Sequence, residues 1–368
     1  MADSHTNVVE DFSYSSRNHT YNSDYLIWRR HTKGAFIYRF SDNQNENVYV
    51  DGDAVAPVTA VNAERNALMQ CSQIIGLALL LFLLIAVIGG SVLIAVLRLF
   101  HIDIRLDFLS LQMDGSQWAC VAVKSITAVL KYLLPSLLLL RFCKLPRRIV
   151  FPLSVGALQE LLAAAGAGML IAGIYSLTSN SLGVASAQDL FSYKDMAAIL
   201  SYGVFDVLIV STLAELLLRG CIFPVLRQFG DPFAVLMTAL IAALFPNATA
   251  NRFAELLIGL AAGYLFLRAG SIFKCILIRV IFSGLSYARL VLVYATGAMP
   301  LWEYALLLIS MGVLVIALYV RSKSNRYAME NRKTALPMPE KAAVMLQSVT
   351  MMPWAAASLL VALLQIFY

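Results

Sequence analysis

The chain has 368 residues, of which 60% are hydrophobic and 14% charged, and its formal net charge is +6. A soluble domain carries about 25% charged and about 45–50% apolar residues, so this composition excludes an ordinary soluble enzyme and describes a polytopic membrane protein. The positive balance is read through membrane topology, with the lipid bilayer as the first partner and no nucleic acid expected.

Residues 1–72 read as a polar N-terminal cytoplasmic segment, partly disordered, because the opening stretch is low in aliphatic residues. No signal peptide opens the chain, since this head holds no apolar core. Residues 25–40 are richer in aromatic and β-branched types. They fit a short hairpin, a segment resting on anionic headgroups through Trp28, Arg29 and Arg30, or a flexible cytoplasmic tail. Asn18-His19-Thr20 fits a glycosylation sequon without a secretory context to support it.

Residues 73–368 read as a transmembrane bundle. A hydrocarbon core of ~30 Å takes about 20 helical residues. Apolar runs near 74–97, 117–140, 150–176, 197–218, 232–247, 253–268, 274–294, 301–320 and 343–367 approach that length, and the fifth and sixth are short. The expected fold is therefore all-α, a helical bundle of about eight or nine spans. The loops after the even-numbered spans hold Arg141, Lys144, Arg147, Arg148, Arg219, Arg227, Arg268, Lys274, Arg321, Lys323, Arg326, Arg332, Lys333 and Lys341. The opposite loops hold only Arg98, Arg105, Lys194 and Arg252. Cytoplasmic loops carry the Lys/Arg excess, so the expected orientation in the cell membrane is N-terminus cytoplasmic and C-terminus outside.

The five cysteines, at 71, 120, 143, 221 and 275, form no C-x-x-C and are odd in number, which argues against a disulfide framework or a cysteine zinc site. The four histidines lie at 5, 19, 31 and 101. No H-E-x-x-H metal site and no serine–histidine dyad can be assembled from the apolar half, so neither metal nor cofactor is expected.

The most informative stretch is Ser211 to Pro224, STLAELLLRGCIFP. Glu215 and Arg219 stand four residues apart on one helix face. Ionisable groups inside an apolar segment are costly and mark either a functional site or a paired structural core. The plain alternative is a helix-end salt bridge with Arg219 reaching for the interface. Asp206, on the same helix, lines a cavity or lies near the outer interface. Lys124, Lys131 and Glu160 pair with one another or snorkel.

This stretch resembles the CAAX protease and bacteriocin-processing family (CPBP, or Abi), whose members carry E-E-x-x-x-R-G here. Downstream, Leu267-Arg268, Gly270-Ser271-Ile272-Phe273 is similar to the family's L-R-x-G-S-[LI]-[WF] connection. The resemblance covers roughly residues 197–295. It implies intramembrane peptide-bond hydrolysis, with a glutamate activating water and with histidines and an asparagine from F-x-x-x-H and H-x-x-x-N motifs orienting it. Glu215 and Arg219 keep the motif, as remnants of the catalytic set. Ala214 stands in place of the first glutamate, Ala242 and Pro246 in place of F-x-x-x-H, and Arg279 and Ser283 in place of the histidine and asparagine of the third motif.

The resemblance therefore implies a member that has lost its catalytic groups and acts by binding a membrane protein or peptide partner. A Glu215–Arg279 or Glu215–Arg219 ion pair would then fill the former cleft. The alternatives are an active CAAX-type endopeptidase using Glu215, and an unrelated transporter in which Asp206, Glu215 and Arg279 contact a solute or proton.

Overall fold

The computed structural model describes residues 16, 18–31, 47–48, 58–101, 104–106, 113–154, 158–181, 196–245, 252–296, 301–321 and 336–367. Among these, twelve helices carry the architecture. In chain order they are α1 (His19–His31), α2 (Ala60–Leu99), α3 (Gln117–Phe142), α4 (Arg147–Val150), α5 (Leu158–Ser181), α6, α7 (Asp231–Ala243), α8 (Arg252–Ala269), α9 (Ile272–Thr296), α10 (Leu301–Arg321), α11 (Met338–Leu346) and α12 (Met351–Phe367). Two short antiparallel ribbons, Asn47–Val48 with Val58–Thr59 and Ile104–Leu106 with Met113–Gly115, flank α2.

α6 runs from Met196 to Arg227 without a break but changes its hydrogen-bond pattern. It is π-helical over Asp206–Val210 and again over Leu216–Ile222, with the α-helical turn Ser211–Glu215 between. The Ser211 N–H bonds the Asp206 carbonyl five residues back. Such π segments appear mostly as short insertions at functional sites.

Each apolar run of the sequence contributes helix among the described residues, and the all-α bundle is the observed fold. Among the described residues, five helices are long and apolar enough to cross a membrane: Glu64–Leu99, Gln117–Phe142, Leu158–Leu177, Leu200–Arg227 and Glu303–Val320. The pair α11 and α12, bent by 85°, is a broken span, which would make a sixth, or a re-entrant loop. Length and composition thus support five or six crossings where the sequence predicts eight or nine. α7 shows why. Its 13 residues rise only about 20 Å, well short of a ~30 Å core.

In lipid, small residues take over the role that apolar side chains play in water, because they let backbones approach. A Cβ at Gly259 on α8 would lie 2.6 Å from the Ala239 Cα on α7, and one at Gly312 on α10 would lie 2.7 Å from the Leu170 amide nitrogen on α5. The tight pairs α7/α8 and α5/α10 result. α9 packs on α5, α6 and α8, which places α6, α8 and α9 side by side in the interior.

The head departs from expectation. Residues 19–31 are neither hairpin nor tail where the structure describes them, but the helix α1, with Tyr21, Tyr25 and Trp28 buried. The Trp28 indole donates to the Cys143 carbonyl (3.3 Å), so it sits in protein rather than against headgroups. α2 begins at Ala60, so the boundary between 72 and 73 falls inside a helix.

Candidate functional site

The interior of the α6/α8/α9 group holds four charged side chains. Glu215 and Arg219 are fully buried, and Glu255 and Arg279 are each 5% exposed. Charge in such a place needs partners, since desolvation outweighs anything but close pairing. The geometry supplies them. The Arg279 Nε donates to Glu215 Oε1 at 2.7 Å. Its two terminal nitrogens donate to Glu255 Oε1 and Oε2 at 2.9 and 2.8 Å, a bidentate fork. Arg219 Nη1 lies 3.3 and 3.2 Å from the two Glu215 oxygens, and its Nη2 donates to the Gly259 carbonyl at 2.7 Å. Two anions and two cations close on one another with no net charge.

Local structure positions each group. The turn Ser211–Glu215 and the π segment after it hold Glu215 and Arg219 on the inward face of α6. Gly259 lets α8 approach closely, and its carbonyl is the one that Arg219 reaches. Glu255 stands one turn earlier on the same face of α8. Arg279 reaches across from α9. Beside the quartet, Ser211 Oγ and Ser283 Oγ are 3.3 Å apart. Lys131 and Asp206, both half-buried, lie within electrostatic reach of one another, and Asp206 also of Arg279. Lys131 Nζ stands over the Tyr132 ring at 5.1 Å, a cation–π contact.

The expected positions fall as follows. Glu215, Arg219, Arg279 and Ser283 lie together around the site, with buried Ala214 next to Glu215 on α6. Glu215 pairs with both arginines. Pro246 lies outside the described residues. Glu160, expected to pair with Lys124 or Lys131 or to snorkel, lies buried in the first turn of α5. It forms an ion pair with Lys274 and approaches Arg268 (Nε to Oε1, 4.0 Å) at the α8–α9 turn. The sequence reading missed Glu255. The signal was charge balance, because two buried arginines cannot be neutralised by Glu215 alone.

This constellation sits inside a recognised segment. Residues 196–285 match the family model described as type II CAAX prenyl endopeptidase Rce1-like. The match covers about a quarter of the chain, from the start of α6 into α9, and takes in all four residues of the quartet, so this segment is similar to a CAAX-protease domain. No curated protein and no solved structure matches the chain.

Chemically, the Glu215 carboxylate is bound to two guanidinium groups, that of Arg219 on its own helix and that of Arg279 on α9. Among the described residues, no group of histidine, cysteine or carboxylate side chains could hold a metal ion.

Proposed function

We propose that this chain is a membrane protein on the CAAX-protease scaffold that has exchanged catalysis for binding, its partner being a membrane protein or peptide. The observation that carries the reading is Arg279. It stands where the third motif has a histidine and spends all three of its nitrogens on Glu215 and Glu255. A general base needs free lone pairs aimed at the water it activates. Glu215 Oε1 accepts from two guanidinium groups, and Oε2, which accepts no hydrogen bond, is fully buried with Arg219 Nη1 3.2 Å away. Ala214 offers no second carboxylate. The excess of Lys and Arg at the ends of α3, α6, α8 and α10 supports an N-terminus on the cytoplasmic side of the cell membrane, and an odd number of crossings, as with five, would set the C-terminus outside.

The test is peptidase activity of the purified protein in liposomes, against prenylated and unmodified peptides, with Glu215→Ala beside the parent. The expected result is no cleavage by folded, monodisperse protein. Cleavage by the parent that is lost in Glu215→Ala overturns the reading in favour of an active endopeptidase. Movement of a solute across the same liposomes would instead favour a transporter.

A further inference from the structure

An α-helix leaves its last four backbone carbonyls without partners inside the helix. Three helices end on one face of this bundle: α3 at Phe142, α6 at Arg227 and α8 at Ala269. A carbonyl from each terminus accepts a hydrogen bond from the N-terminal segment. Trp28 Nε1 donates to Cys143 at 3.3 Å, the Tyr25 hydroxyl to Pro224 at 2.8 Å, and Asn18 Nδ2 to Gly270 at 2.8 Å. The donors stand at i, i+7 and i+10, which is one stripe of a helix.

Tyr21 continues that stripe and packs edge-on against Phe266, ring centroids 5.4 Å apart. Arg227 lies 5.5 Å over the Tyr25 ring. The receiving surface is shaped for this contact. Gly270 has φ +58°, and a Cβ on it would lie 2.8 Å from the Asn18 Cβ and 2.9 Å from the Ser16 hydroxyl.

α1 has 13 residues, HTYNSDYLIWRRH, and its outer face sets His19, Thr20 and Ser23 beside the exposed Ile27. Isolated helices shorter than about 12–15 residues are marginal in water. α1 therefore keeps its shape only while it is docked, and undocking and unfolding are one event. That is the behaviour of an order–disorder element.

We propose that α1 is a detachable latch over this end of the bundle. Docked, it caps three helix termini and shields the Cys143 layer. Released, it bares three carbonyl ends, the negative poles of their helix dipoles. The latch acts on α6 directly, because Tyr25 holds Pro224, five residues beyond Arg219. Phe223, beside Pro224, packs on the same Phe266 that Tyr21 touches (5.2 Å). The proposal holds whether or not the domain cleaves peptides.

Cys143 gives a built-in reporter. It is buried, and burial pushes its thiol up to about 12, so little thiolate forms near neutral pH until the latch opens. The experiment uses the full chain in detergent. Hydrogen exchange is followed by mass spectrometry, and alkylation of Cys143 is located by peptide mapping. Amides of His19–His31 should exchange at least about tenfold faster than those of Gln117–Phe142. Trp28→Ala should raise Cys143 labelling by at least about tenfold, because it removes the buried indole's packing as well as its hydrogen bond, with bundle helicity unchanged. Tyr25→Phe, which removes only a hydroxyl, should raise it less. The proposal fails if α1 exchanges together with the bundle, if both variants label at the parental rate, or if Trp28→Ala unfolds the bundle.

Discussion

Glu255→Gln is the sharpest test of the buried quartet. The substitution keeps shape and removes one negative charge, leaving Arg219 and Arg279 to share Glu215. Removing one partner of a buried ion pair costs about 3–5 kcal/mol, mostly from stranding the other charge. The bidentate contact at 2.8–2.9 Å puts this pair toward the upper end. In a chain of this size such a loss lowers the thermal midpoint by on the order of 4–7 °C. The assay is thermal unfolding in detergent at one fixed scan rate, followed by circular dichroism.

The decisive arm is the double variant Glu255→Gln with Arg279→Met. It removes one anion and one cation and leaves Glu215 paired with Arg219, so the interior stays neutral. The double variant should therefore be less damaged than the sum of the single variants by about 2 kcal/mol or more. A single variant that melts within a degree or two of the parent would refute the reasoning, as would strict additivity.

Three further outcomes follow from the same geometry. Glu215→Gln should be at least as destabilising as Glu255→Gln, because it strips a fully buried carboxylate from two arginines, and folded yield with thermal midpoint reads it. Gly259→Ala should cost about 1–3 kcal/mol by overpacking, since its Cβ would meet the α7 backbone at 2.6 Å, whereas Ala at the open Gly284 should be tolerated. In the parent protein, alkylation of Cys143 should be far slower than that of an exposed thiol at both pH 7 and pH 9. An exposed thiol, with a pKa of about 8.5, goes from about 3% to about 75% thiolate over that range, and labelling of Cys143 at a comparable absolute rate would contradict its burial.

How much of this was written in the sequence depends on the range of the signal. The apolar runs are local, and each yielded helix among the described residues, the last of them as two helices bent by 85°. The pairing of Glu215 with Arg219 is local too, one helical turn. Arg279 could be matched to Glu215 because the family spacing placed it. Glu255 escaped because it lies in the first turn of α8, where a charge looks like an ordinary helix-end residue, and only the fold reveals that this end is buried. Glu160 and Lys274 are far apart in the chain, and nothing local links them. α1 was illegible for a different reason. Its docking face is made of Asn18, Tyr21, Tyr25 and Trp28, residues that also suit a tail or a headgroup layer. Their partners are carbonyls, which every residue has.

The change of winding in α6 has a consequence for phase. In an unbroken α-helix, nine residues turn about 900°, which would set Asp206 and Glu215 on opposite sides of the rod. Five of those residues are wound as π-helix and advance less per residue, so the half-turn offset is partly undone. Asp206 swings toward the side from which Arg279 approaches. A second wide turn at Leu216–Ile222 then resets the angle before Pro224, where the N-terminal segment takes hold. The rod thus carries two phase shifts in series. One residue deleted from either wide turn would leave the sequence almost unchanged and turn the charges of the core out of alignment with one another.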